Sequence, residues 1–266
     1  MKIKLLLNKT IEENAEIYFN KAKKLKKKIP GAEKAIGQTK KKLESAKLVV
    51  EEAPKKLQKI IKKKRKWFEK FHWFVTSNGF LVIAGRDATT NEDVIKKHAN
   101  AEDLILHTDM SGSPFAVIKK NSVPESEISK IDLEESANFI LAYSKAWKAG
   151  FGNADIFYVK PEQVTKEANS GEYLPKGAFM IRGKTNYIEN EIDFCIGIYS
   201  LPDEYKGAIF TGSEISAKKY CETYFKIIPG RQKTSDIAKS LKKKLNSEND
   251  LDEFVRAVPP SSELKK

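Results

Sequence analysis

Four stretches of this chain combine residue types and spacings that could bind or react with a ligand. In Gly85-Arg86-Asp87-Ala88-Thr89-Thr90-Asn91-Glu92 a strand pattern gives way to a helix start. Unpaired backbone N–H groups there favour an anion, and Arg86 could hold a phosphate. Asp87 and Asn91 could read a base edge or, equally, cap the helix, while Glu92 suits the first turn by its charge. His107 and Asp109 lie two apart in a strand pattern and so share a face. Joined by Asp87 and Glu92 they would resemble a metal-dependent nuclease site. Two-metal chemistry needs more converging carboxylates than this, no HxxxH or HExxH spacing occurs, and His107 reads equally as a hydrogen-bonded packing residue. Arg182, Lys184 and Tyr187 surround Gly183 at a strand end, where two cations could clamp phosphates and the ring could stack on a base. The alternative there is an ordinary basic turn with a core tyrosine. Arg231 and Lys233 follow Pro229-Gly230 before a helix start and have the same character. They lack the GxxxxGK[ST] spacing of a nucleotide-hydrolysing loop, and the sequence calls for no metal and no cofactor.

The elements that must position these residues begin at a hairpin. Phe71 to Thr76 and Phe80 to Ala84 read as strands around the turn Ser77-Asn78-Gly79. A short helix is predicted over 90–97, and strands over 103–109 and 115–119. Asp132 and Glu135 form a capping-box pattern that opens a helix ending at Gly150. Strands follow at 155–159, 178–181, 192–198, 208–210 and 221–227, the alternation of Ile192, Phe194, Ile196 and Ile198 marking a half-buried strand. A basic helix covers 235–245. Strands outnumber helices and are joined by short turns, so the fold class is α+β, with a mixed, mainly antiparallel sheet and flanking helices.

The first quarter is different. Residues 1–66 hold 22 Lys and Arg against 7 Asp and Glu, whereas residues 67–266 hold 27 against 29. The basic charge belongs to an arm, which suits a polyanion or a solvated helix face. Thr10 and Glu13 form a capping box, and Ile11, Ala15, Tyr18, Ala22, Leu25 and Ile29 form a coiled-coil seam. Pro30-Gly31 predicts a turn into an antiparallel helical hairpin. The heptad phase nevertheless continues through Ala32, Ile36, Thr39, Leu43 and Ala46 and on to Lys64, as a single kinked helix would require, with a second kink expected at Pro54. Trp67, Phe68, Phe71, Trp73 and Phe74 read as a hydrophobic seat at the junction. Cys195 and Cys221 lie in strand patterns without a CxxC partner and suit a reducing compartment. The opening apolar run stops at Leu7, too short for a secretory signal, and no stretch is long enough to cross a bilayer, so a cytoplasmic protein is expected.

The segments WFEKFHWF, AGRDATTNE, LILHTDMSGSPFAVI, GEYLPKGAFMIRGKTNY and IIPGRQKTSDIAK resemble the C-terminal NFACT-R RNA-binding domain of the NEMF/RqcH ribosome quality-control family. The lysine-rich arm resembles the coiled coil that precedes it. Family members often carry a second histidine where this chain has Ser111. On this resemblance the chain divides into a coiled-coil arm at 1–70, an NFACT-R domain at 71–246 and a weakly ordered tail at 247–266. The resemblance implies binding to tRNA and to the large ribosomal subunit, through rRNA and stalk proteins. It implies support for untemplated alanine tailing of stalled chains, with the ribosome supplying the peptidyl-transfer chemistry. The chain would not itself be an enzyme, and the RNA contacts would come from Arg86, Asp87, Asn91, His107, Arg182, Lys184, Tyr187, Arg231 and Lys233. The family's NFACT-N and helix-hairpin-helix parts do not fit into this length, so the chain is expected to be a piece of a longer protein. A metal-dependent nuclease and a coiled-coil protein adaptor are the rival readings, and the seam leaves self-association open.

Overall fold

The structure, a computed structural model, describes residues 4–52, 66–110, 112–168, 173–201 and 204–265. It divides into two compact units, Met1–Lys64 and Arg65–Lys266. The first is helix α1 (Ile11–Glu52), about 63 Å long at about 1.5 Å per residue. Its start is capped as the sequence predicts: Thr10 N donates to Glu13 Oε2 at 2.9 Å and Glu13 N to Thr10 Oγ1 at 3.2 Å. Asn14 adds a buried brace, its side chain bonding Leu6 twice and the carbonyls of Lys9 and Thr10.

The expected hairpin at Pro30 does not form. The helix runs through Pro30, giving up one backbone hydrogen bond. Pro30 and Gly31 fall between the seam positions Ile29 and Ala32, so the seam passes them without a break. The seam positions from Ala46 to Lys64, with Pro54, and also Ser111, lie outside the described side chains.

The second unit opens with a 3₁₀ turn at Trp67–Lys70, followed by β1 (His72–Val75) and β2 (Leu81–Ala84). Then come α2 (Ala88–His98), β3 (Leu104–Thr108), β4 (Ala116–Lys119), α3 (Lys130–Ala142), α4 (Lys145–Ala149), β5 (Ile156–Val159), β6 (Val164–Thr165), β7 (Met180–Ile181) and β8 (Asn186–Ile188). The chain continues with β9 (Cys195–Tyr199), β10 (Ile209–Gly212), α5 (Glu214–Tyr220), β11 (Cys221–Gln232), α6 (Thr234–Lys244), α7 (Leu251–Ala257) and β12 (Ser262–Leu264). The α+β class holds. Instead of one mixed sheet there is a six-stranded sheet, β1-β2-β4-β3-β5-β8, a four-stranded sheet, β10-β9-β11-β12, and a two-stranded ribbon, β6-β7. Every pairing among the described residues is antiparallel.

Both faces of the large sheet are covered, which is why β2 and β4 read as unbroken apolar runs. Val82, Ala84, Leu106 and Ile118 pack in one core with α3, Trp147, Phe194 and the α6 residues Ile237 and Leu241. Ile83, Ile105, Val117 and Phe157 pack in the other with Phe68, Phe71, Val94 of α2 and Tyr199 of the second sheet. The helix expected to start at Asp132 starts a turn earlier. Ser129 is its N-cap and Asp132 the reciprocal partner, and Ser144 ends the run by capping a separate α4.

The tail expected to be weakly ordered is also corrected. It forms α7, with Phe254 buried, and β12, which pairs with β11. Trp147 Nε1 donates to Ser262 Oγ at 3.0 Å, both groups being buried.

Candidate nucleic-acid interface

His107 leaves β3 beside the ring of Phe115, centroids 3.8 Å apart and planes 7° apart. Its Nδ1 meets the Pro114 carbonyl at 3.0 Å. Burial lowers its pKa, against opposing pulls from that carbonyl and from Asp109. The packing role weighed for His107 is therefore what its contacts show. Asp109 pairs across the strand order β3-β5-β8: Tyr187 OH donates to Asp109 Oδ2 at 2.9 Å. That bond, first among the causes, raises the Tyr187 pKa. Phe157 of the intervening strand meets Tyr187 edge-on at 6.1 Å. Tyr187 is 60% exposed, so it is no core tyrosine; its ring is fixed at one edge and open to a ligand.

Arg182 and Lys184 stand on the turn that leads into β8, both exposed. Gly183 there has φ +84°, a left-handed value suited to glycine. Gln163 clasps the turn. Its Nε2 donates to Arg182 O at 3.0 Å and Lys184 O at 2.9 Å, and its own carbonyl accepts from Arg182 N at 2.8 Å. The arginine head reaches Glu167 O at 3.4 Å. Sequence reasoning did not single out Gln163; its one local signal was Pro161, which opens the short 3₁₀ turn that carries it. Arg182, Lys184 and Tyr187 thus present two cations and a ring from six consecutive residues of the sheet's edge.

The start of α2 is differently employed. Asp87 is its N-cap, accepting from Thr90 N at 2.8 Å, and that bond leads the causes lowering its pKa. Asn91 Oδ1 accepts from Phe115 N at 3.1 Å, tying α2 to the edge of β4. Arg86 turns inward, its Nη2 donating to Phe71 O at 2.9 Å. Glu92 takes Lys166 at 2.8 Å, Lys96 at 3.1 Å and Gly177 N at 3.2 Å. The lysine hydrogen bond is the largest cause holding its pKa down, to about 2. These side chains fix the backbone and hold the β6–β7 ribbon. Among the described residues no three His, Cys, Asp or Glu side chains converge as metal ligands, and the four proposed for a nuclease are each engaged elsewhere. Arg231 and Lys233 are exposed, but at the end of β11 and the start of α6, in the part built on the other sheet.

Residues 70–183 match the NFACT protein RNA binding domain. The Archaeal Rqc2 homolog aRqcH of Methanocaldococcus jannaschii is 41% identical over 206 residues, 77% of this chain. This is an NFACT-R domain of the NEMF/RqcH type. The human ribosome quality control complex subunit NEMF is 38% identical over 184 residues, 66% of this chain. Subunit 2 of the same complex from Schizosaccharomyces pombe is 38% identical over 129 residues, 48% of this chain. The chain spans 30% of the archaeal relative's length, 16% of the human one's and 12% of the yeast one's. The NFACT-R match takes in His107, Asp109, Gln163 and Arg182 and stops at Gly183, so Lys184 of the same turn and Tyr187 of β8 lie directly past its end.

Proposed function

We propose that this chain is the RNA-binding part of a ribosome quality-control factor. It binds tRNA and rRNA on the large ribosomal subunit carrying a stalled chain. It supports untemplated alanine tailing without breaking or making a bond itself, because the ribosome performs peptidyl transfer. The arm reaches rRNA or stalk proteins. The observation that carries the RNA contact is the edge turn held by Gln163, which presents Arg182, Lys184 and the 60%-exposed ring of Tyr187 together beside the Asp109 carboxylate. Two cations span phosphates while the ring takes an unstacked base, and Asp109 accepts from a base amino group. Arg231 and Lys233 supply phosphate contacts on the second sheet. Arg86, Asp87, Asn91 and His107 act by holding the backbone beneath.

Titration of the full chain with tRNA at several salt concentrations tests this. Arg182→Ala with Lys184→Ala should weaken binding and flatten the salt dependence by about two counterions' worth. Tyr187→Ala should lose roughly 1–3 kcal/mol, and Tyr187→Phe much less, since the ring remains. Unchanged affinity in all three variants rules the turn out.

A further inference from the structure

Beside the exposed ring of Tyr187 the large sheet presents a row of hydrogen-bond acceptors. His107, Phe157 and Tyr187 lie opposite one another across β3, β5 and β8, so they share a face. Asp109 stands two residues beyond His107 on that face. Its backbone N donates to Asp155 O at 2.9 Å, which sets Asp155 opposite it, and both acids are exposed. Tyr187 OH donates to Asp109 Oδ2 and so orients the carboxylate, occupying one of its roughly four lone-pair sites. His107 adds a further acceptor. Its Nδ1 meets Pro114 O, a group that can only accept, so in the neutral ring the proton sits on Nδ1 and Nε2 carries a lone pair. The cations Arg182 and Lys184 stand on the turn that leads into β8.

We infer that this face takes guanine, and that Asp109 is the residue that selects it. The inference rests on the RNA reading of the edge turn and names the base that the turn receives. Guanine is the one base with two adjacent donors on its Watson–Crick edge, N1–H and the N2 amino group, and these match two lone pairs of one carboxylate. Adenine and cytosine set a single amino group beside an acceptor nitrogen, and uracil sets N3–H between two carbonyls. Against Asp109 each of these brings a lone pair towards a negative charge. Stacking on Tyr187 tolerates every base, so selection falls to the polar edge. An arginine side chain of a protein partner would also offer paired donors, but Arg182 and Lys184 repel it, whereas they attract the phosphates that flank a nucleotide.

The full chain is titrated by fluorescence anisotropy with labelled single-stranded RNA hexamers of uridine that carry one guanosine, inosine, adenosine or cytidine at an inner position. Inosine is guanosine without the N2 amino group. The guanosine hexamer should bind about tenfold more tightly than the adenosine and cytidine hexamers, with inosine between them. Asp109→Asn turns one acceptor into a donor and should bring the guanosine and adenosine hexamers to within about twofold of each other. Tyr187→Phe keeps the ring but releases the carboxylate, and should narrow the preference for guanosine by about threefold. Near-UV circular dichroism checks that these substitutions leave the sheet domain unchanged. Equal binding of the guanosine, inosine and adenosine hexamers would overturn the inference. So would a preference that survives Asp109→Asn, no binding of the guanosine hexamer, or its displacement by an equimolar arginine-rich peptide. If no base is preferred but Arg182→Ala with Lys184→Ala weakens every hexamer, the edge turn still binds RNA and only the base assignment is lost. If that pair and Tyr187→Ala change nothing, the edge turn itself is lost, and this assignment with it.

Discussion

His72 lies face to face with Tyr143, ring centroids 3.7 Å apart, both rings being partly buried. Burial first, and the charge of Arg86 second, hold its pKa well below the usual 6.5. His98 and His107, which complete the chain's three histidines, are also lowered, chiefly by burial. The unfolded chain therefore takes up protons near pH 6.5 that the folded chain refuses. The stabilisation is present above that pH and is lost as pH falls through the folded values. The urea midpoint should drop between about pH 7.5 and about pH 5.5, and His72→Phe, which preserves the ring stack, should make that drop shallower. An unaltered drop would assign the effect to the other two histidines. What the sequence revealed at this scale was local. Asp87 as an N-cap and Thr10 with Glu13 as a capping box involve neighbours three apart. The bond from Tyr187 to Asp109 spans 78 residues, and it depends on a strand order that neither residue encodes. Sequence alone grouped Asp109 with Asp87 and Glu92, which the fold employs elsewhere.

Among the elements, the β6–β7 ribbon depends most on one residue. Gly177 has φ +81°, and a Cβ there would come 2.5 Å from the Ala88 Cα at the start of α2. Gly177→Ala should therefore cost about 1–3 kcal/mol and loosen the ribbon from α2. A thermal melt, with hydrogen exchange at the Arg182 amide, would show it; wild-type values of both would refute the account. The long elements were legible where their periodicity was. The uninterrupted heptad phase was the correct signal for α1, and Pro30 misled because its missing donor is tolerated off the seam. The strands β2, β4 and β9 were legible from their apolar or alternating runs. Helices α5 and α7 have seven residues each and β8 has three, too few for any period to register. β11 extends to Gln232, beyond its alternating stretch, because β12 arrives to pair with its far end.

At the scale of the molecule, the α+β class followed from the mixture of patterns, while the division into two sheets did not, since strand partners are chosen by packing. The contrast between a lysine-rich first quarter and a near-neutral remainder was readable by counting. The seal of the larger core was not. Ser262 accepts from Trp147 across 115 residues, and Ser262→Ala would leave that buried indole donor without a partner. The expected loss is about 1–3 kcal/mol in denaturant unfolding. Combined with Trp147→Phe the two losses should add to less than their sum, because they remove one bond. Full additivity would show that the bond contributes nothing.

That bond also sets a timetable. At about 5–20 residues per second, Trp147 is synthesised roughly 6 to 23 seconds before Ser262. Until then β11 lacks its last neighbour and the core around Phe254 has no lid. Helix α1 and the first hairpin can form as they emerge, but the centre of the sheet domain closes only when nearly all of it is outside the tunnel. A ribosome halted within that interval would hold a chain with its central tryptophan still in water.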